Sequence, residues 1–363
     1  MKTDPGRHRI PVSVLTGFLG SGKTTVLRHL ARHGGLDRTL VLVNEFGEVG
    51  LDHQLLTRID DDTLVALESG CICCTIRSDL ARTLADAPGR YARNGTRWFD
   101  RVIIETTGLA DPAPILQTIL SEPTVAPRYA LARVLTTVDA AHGLDTLARH
   151  PEALKQVGVC DRVLLTKTDL VDDAEVEQLR AALQTRAPSA PVTPIRDGAV
   201  EASWFFSGGP WLLEGKHPDV EGWLALEDLR SIDEHDHDHG DHDHAHDPNR
   251  HGRITASCLI FDDPVDAQAL DRCLEALMLF RGADLLRMKG IVNVRGLDLP
   301  LVIHGVQHVV HPPELLEAWP GEDRRTRIVL ITRDLDPELL RSCFARFGLE
   351  ATPAPPAEAH AHG

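Results

Sequence analysis

Short, almost continuously apolar runs recur through the first two hundred residues: IPVSVLTG (10–17), TLVLVN (39–44), TLVALES (63–69), RVIIETTG (101–108), ALARVLTTVD (130–139) and RVLLTK (162–167). Runs of this length without polar alternation predict strands buried on both faces, as in a parallel sheet. Between them, TTVLRHLARH (24–33) and AEVEQLRAALQTRA (174–187) carry a helical period. Strands alternating with helices predict a doubly wound, mostly parallel α/β sheet whose ligands bind beyond the carboxyl ends of its strands.

The pattern then changes. Residues 199–231 are rich in Trp, Gly and Pro without a clear period, and HDHDHGDHDHAHDPNRHG (235–252) is a His/Asp tract that cannot build a core. Beyond it, RITASCLIF (253–261), LLRMKGIVNV (285–294), LPLVIHGVQHVVH (299–311) and RTRIVLITR (325–333) predict strands. DAQALDRCLEALMLF (266–280) and PELLRSCFARFG (337–348) predict helices, which together with those strands make a small α+β domain. The domain expectation is therefore a doubly wound α/β domain over 1–230, a His/Asp-rich linker over 231–252, a smaller C-terminal α+β domain over 253–349 and a disordered tail over 350–363.

Composition narrows the choice of partner. A net charge of −16 over 363 residues argues against nucleic acid and anionic membrane, both of which need a basic face. No apolar run reaches membrane-spanning length, and MKTDPGRHRI lacks the apolar core of a signal peptide, so the expected location is the cytoplasm. Thiols stay reduced there. Clustered cysteines then point to metal or redox chemistry instead of disulfides.

The first strand runs into TGFLGSGKTT, which satisfies G-x-x-x-x-G-K-[ST] between a strand and a helix. Gly17, Gly20, Ser21 and Gly22 would form a loop tight enough to aim successive N–H groups at phosphate, with the following helix N-terminus directed at the same anion. Lys23 is expected to reach the β- and γ-phosphates and the Thr24 hydroxyl to ligate Mg²⁺, with Thr25 beside it. Glu105, closing RVIIE, would hold the Mg²⁺ shell, and the Gly108 N–H would sense the γ-phosphate. Asp139 is a second acidic strand terminus at the same crevice. TKTD (166–169) reads as a guanine motif: the Asp169 carboxylate can accept from guanine N1–H and the exocyclic amine, a donor pair that adenine lacks. Lys167 would lie along the base. Thr166 stands where Asn is commoner, removing an amide that would brace the phosphate loop.

ESGCICC (68–74) places three of the seven cysteines within four positions, at the end of a strand on the nucleotide side. Cys71 and Cys73 project alike in extended chain, and Cys74 can swing round at the turn. Thiolates at this spacing suit Zn²⁺ and tolerate Co²⁺, with Glu48 of NEFGEVGLD (44–52) or a histidine as a fourth ligand. Cys160, Cys258, Cys273 and Cys343 are expected as small buried hydrophobes. His235, His237, His239, His242, His244 and His246 form a loose auxiliary set of metal ligands, which His360 and His362 could join. His304, His308 and His311 fit a surface or core role better than a ligand role.

GFLGSGKTT, NEFGEVGLD, GCICC, ETTGLADP, TKTD and LLRMKGIVNV…HGVQH together resemble the CobW-like metallochaperone P-loop GTPases, relatives of UreG and HypB, over nearly the whole chain. The resemblance implies a GTPase that couples hydrolysis to handling zinc or cobalt, with Cys71, Cys73 and Cys74 as metal ligands and Glu48 as a further one. It also implies Thr at position 166, the usual residue in the branch most resembled. GTP or GDP, Mg²⁺ and Zn²⁺ (Co²⁺ as the alternative) are then the expected cofactors. A client metalloprotein is the expected partner, and a nucleotide-dependent homo-oligomer is a second. The rival classes are a metal store or sensor using nucleotide only as structure, a cobalt handler for cobalamin synthesis, and a P-loop kinase, for which no acceptor site is evident.

Overall fold

Eight residues without a charged side chain, Ile10–Gly17, form β1, the central strand of a seven-stranded parallel sheet ordered β3-β2-β6-β1-β7-β8-β9. The computed structural model describes residues 9–44, 64–67, 75–187, 190–206, 254–310, 313–316 and 318–352. After β1 come α1 (Lys23–Arg32), β2 (Thr39–Asn44), β3 (Leu64–Leu67), α2 (Thr75–Arg90) and a small hairpin, β4 (Ala92–Arg93) with β5 (Thr96–Arg97). β6 (Arg101–Glu105), α3 (Ala113–Ser121) and β7 (Tyr129–Asp139) follow. The unit continues with α4 (Gly143–Arg149), α5 (Pro151–Gly158), β8 (Arg162–Thr166), α6 (Asp173–Arg186), β9 (Val192–Pro194) and α7 (Ser203–Phe206). This is the expected doubly wound P-loop sheet. β1, flanked by β6 and β7, is buried at every position but Pro11.

Because every pairing in this sheet is parallel, all carboxyl ends lie on one edge. Gly17, Asn44, Leu67, Glu105, Asp139 and Thr166 end their strands there. The expected strand over 101–108 stops at Glu105, where the chain leaves the sheet for the segment leading to α3. A core cluster joins Leu15 of β1, Val26 and Leu27 of α1, Ile103, Leu164 and the fully buried Phe205 of α7. Ser13 Oγ donates to the Phe205 carbonyl at 2.5 Å, fastening α7 to β1.

A second compact unit is built around an antiparallel sheet ordered β10-β15-β11-β12-β13. Its elements are β10 (Ile254–Phe261), α8 (Ala267–Arg281), β11 (Leu285–Val292), β12 (Leu301–Val306), β13 (Val309–Val310), β14 (Glu314–Leu315), β15 (Thr326–Arg333) and α9 (Pro337–Arg346). Leu259, Met288, Ile303 and Leu330 on one sheet face pack with Leu274 and Leu277 of α8 and Phe344 of α9. Asp266 and Asp336 cap the two helices by accepting from the Ala269 and Glu338 N–H groups. The stretch 299–311 is not one strand. Gly305 pairs with Val310 and Val306 with Val309, so it folds back around Gln307, whose φ is +51°. Among the described residues no helix is long and apolar enough to cross a membrane.

Truncation of Phe205 to Ala should lower the unfolding free energy of the nucleotide-binding unit by roughly 3–5 kcal/mol, because the cavity would open against β1 and α1. Urea unfolding read by circular dichroism checks this, with nucleotide affinity measured alongside.

Candidate functional site

The turn between β1 and α1 is held by its own carbonyl groups. Lys23, though charged, is buried, and its Nζ donates to the Gly17 and Phe18 carbonyls at 2.8 and 3.1 Å. The Ser21 hydroxyl lies 2.7 Å from the Phe18 carbonyl and 2.6 Å from Thr137 Oγ1, and Thr137 Oγ1 is 3.3 Å from the Thr16 carbonyl. Thr166 Oγ1, 2.8 Å away, donates to the Ser21 carbonyl. The brace that an asparagine amide would give is therefore supplied by a hydroxyl, and the substitution at 166 removes nothing from the loop. Ser21, expected at the phosphates, has its side chain committed to the loop and to β7.

Glycine is obligatory at position 17: a Cβ there would lie 2.3 Å from Thr137 Oγ1 and 2.5 Å from the Thr137 carbonyl. Gly20 and Gly22 take φ of +70° and +98°, with Gly22 the N-cap of α1. The first turn of α1 carries no acidic residue, so its partial positive charge faces the crevice uncompensated by a carboxylate of its own turn. Thr24 stands at that end, and its Oγ1 donates to Glu105 Oε1 at 3.1 Å, across the ends of β1 and β6. Thr25 is exposed. Two oxygen donors side by side, one of them a carboxylate, match the preference of a hard divalent cation such as Mg²⁺.

On the other side of the loop, Lys167 has φ of +56° and its Nζ is 2.6 Å from Asp139 Oδ2. Asp139 also accepts from the Ala141 N–H at 2.8 Å and lies 3.3 Å from His142 Nδ1. Burial opposes ionisation of Asp139, but the hydrogen bonds from Lys167, Ala141 and His142 outweigh it and hold the carboxyl below its ordinary range. Asp139 is thus the residue that orients Lys167. Asp169 is exposed two residues further on. A cavity of about 280 Å³ adjoins the loop, with Phe18, Leu19, Asp139, Gln156 and Lys167 among its lining.

Gly17, Gly20, Ser21, Gly22, Lys23, Thr24, Thr25, Glu105, Gly108, Thr166, Lys167 and Asp169 all lie on the carboxyl edge of one sheet. Glu48, Cys71, Cys73, Cys74, His235, His237, His239, His242, His244 and His246 lie outside the described residues, as do His311, His360 and His362. Among the described residues no group of three or more His, Cys, Asp and Glu side chains is placed to hold a metal ion. Cys160 and Cys273 are buried, as expected of small hydrophobes, while Cys258 and Cys343 are half-buried. His304 is buried in β12, and His308 Nδ1 lies 2.9 Å from the Met278 carbonyl. Sequence reading missed the supporting roles of Thr137, Asp139 and Gln156. The signal available was the recurrence of Thr or Asp at successive strand ends.

Comparison with known proteins extends this picture to the whole chain. Residues 11–194 match the family described as "CobW/HypB/UreG, nucleotide-binding domain", and residues 254–347 match "Cobalamin synthesis protein cobW C-terminal domain". The chain is 34% identical over 337 residues to the protein named zinc chaperone YjiA of Escherichia coli K12, covering 93% of this chain and 98% of that one. It is 29% identical over 366 residues to the protein named zinc chaperone CobW of a Sinorhizobium species, covering 93% and 96%. The crystal structure of Zn(II)-bound YjiA GTPase from E. coli superposes with a TM-score of 0.64 at 29% identity, covering 95% of this chain and all of that one. With a braced phosphate loop, its strand-end partners and both family domains in order along one chain, this protein belongs to the CobW/HypB/UreG family.

Proposed function

We propose that the protein is a GTP-hydrolysing metallochaperone that binds Zn²⁺ at Cys71, Cys73 and Cys74, with Glu48, and passes it to a client metalloprotein in a nucleotide-dependent way. The observation that carries this reading is the meeting, on one sheet edge, of the braced phosphate loop, the Thr24–Glu105 pair and the oriented Lys167. The relatives' names, which join zinc and GTPase activity, support the choice of metal and reaction.

In this reading Lys23 swings from the Gly17 and Phe18 carbonyls to the β- and γ-phosphates, and the α1 N-terminus faces the same charge. Thr24 and Glu105 hold Mg²⁺, which when bound neutralises charge developing on the transferred phosphoryl group. Asp139 holds Lys167 along the guanine while Asp169 accepts from its N1–H and amine. β2 and β3 both end on the phosphate edge, at Asn44 and Leu67, and the segments bearing Glu48 and the three cysteines follow directly. GTP would close the metal site through those segments, and hydrolysis would loosen it for the client. Moving the ion from mostly bound to mostly free requires a difference of about 5 kcal/mol in its binding between nucleotide states.

Three outcomes follow from this reading. Chelator-competition titration with Zn²⁺ and Co²⁺ should show tighter Zn²⁺ binding with a GTP analogue than with GDP. Cys73→Ala should abolish that difference, whereas equal affinity in all nucleotide states of the wild type would refute the coupling. Asp169→Asn should weaken GTP by at least about tenfold while restoring binding of XTP, whose 2-oxo group accepts from the new amide; isothermal titration distinguishes the two. Sustained phosphate release with Mg²⁺ and GTP should be reduced at least about a hundredfold by Lys23→Ala, since a phosphate-charge clamp is lost.

A further inference from the structure

Helix α5 and its N-cap touch both the phosphate loop and the segment after β6. At its start, the His150 ring packs on the Phe18 ring of the phosphate loop, centroids 4.4 Å apart. Further along, Gln156 Nε2 donates to two carbonyls of the segment after β6, that of Gly108 at 3.0 Å and that of Ala110 at 3.1 Å. Beside it, Lys155 Nζ is 2.8 Å from Asp111 Oδ2. The helix is itself tied to the sheet, because Thr136 Oγ1 donates to the Gln156 carbonyl at 2.8 Å.

The two loops also press on each other. A Cβ at Gly108 would come 2.5 Å from the Leu19 nitrogen and 2.6 Å from its Cδ2, so only glycine lets the two loops lie this close. Gln156 is fully buried, with no exposed surface, and its amide spends both N–H groups on this one segment. Among all contacts of Gly108–Asp111, these are the ones made by a helix that also reaches Phe18. Their removal would take these donors from the buried Gly108 carbonyl and the half-buried Ala110 carbonyl.

We infer that Gln156 is a positioning residue for nucleotide hydrolysis: it fixes the Gly108–Asp111 segment so that the Gly108 N–H is set toward the γ-phosphate, with Lys155–Asp111 as the outer latch. The inference rests on the proposed GTP site at Lys23 and Thr24. Binding of GTP, in contrast to GDP, then pulls on a segment already anchored in α5, and α5 carries the nucleotide state to its contact with the phosphate loop.

The full-length protein with Gln156→Met, which keeps length and removes both donors, tests this against wild type. GDP affinity should stay within about twofold, whereas affinity for a non-hydrolysable GTP analogue and kcat should each fall about tenfold, the scale of one or two lost hydrogen bonds. Amide hydrogen exchange over residues 106–111, measured without nucleotide, should quicken at least about tenfold. Lys155→Met should show the same pattern with smaller changes and serves if Gln156→Met does not fold. Equal weakening of GDP and analogue, or an unchanged analogue-to-GDP ratio in a folded variant, would overturn the positioning role. Unchanged exchange would overturn the clamp itself. A wild type that binds no guanine nucleotide would instead sink the underlying site assignment, leaving the exchange comparison to decide the clamp.

Discussion

The shape of the phosphate loop depends on side-chain donors that engage its own carbonyl groups. In this chain Lys23 donates to the Gly17 and Phe18 carbonyls and Thr166 to the Ser21 carbonyl, while the Ser21 and Thr137 hydroxyls, 2.6 Å apart, have one proton between them left for the Phe18 or Thr16 carbonyl. Three of those donors are hydroxyls, one on the loop itself (Ser21) and two on the neighbouring strands β7 and β8 (Thr137 and Thr166). A hydroxyl is short, it rotates to suit its partner, and it costs little when buried with an acceptor. The remaining donor, Lys23, is the one charged group among them, held at the loop by the Gly17 and Phe18 carbonyls. Every other element of the site is arranged around that loop.

The parallel sheet explains why so many chemically unlike groups gather there. β1 is flanked by β6 and β7, with β2 and β8 next outward, so Glu105, Asp139 and Thr166 arrive beside Gly17 although they lie far apart in sequence. Hydroxyl bonds between strand ends, such as Thr106 to Thr16 at 2.8 Å, hold that edge in register. Thr24 and Glu105 meet across β1 and β6, while Asp139 and Lys167 meet across β7 and β8. The antiparallel C-terminal unit has its own core of strand, α8 and α9 side chains.

Asp139 and Gln156 illustrate two ways in which a structure supports a site without touching the reacting atoms. Asp139 is a charge held ionised beside Lys167, limiting where that cation can go. Gln156 is a neutral amide whose two N–H groups fit two carbonyls of one segment. The first acts through electrostatics and the second through hydrogen-bond geometry, and both are sited on elements that end or pass beneath the phosphate edge.

Much of this was legible in the chain itself. Apolar runs located six of the seven sheet strands, because strands buried on both faces tolerate no polar alternation. The phosphate-loop residues were legible because a backbone cradle demands particular residues at fixed spacing. β9, three residues long, carried too little pattern to be seen, and the 299–311 stretch read as one strand because a turn at Gln307 leaves the apolar alternation almost intact. What sequence could not supply was which donor meets which acceptor across strands. Thr166 read as a lost brace until the fold put its hydroxyl 2.8 Å from the Ser21 carbonyl, and no local pattern marked Gln156, whose amide the fold puts 3.0 Å from the Gly108 carbonyl. Local pattern determines elements and motifs through periodicity and backbone sterics; pairings between residues dozens of positions apart are decided only by tertiary packing, because hydrogen bonds depend on distance and angle that no local spacing encodes.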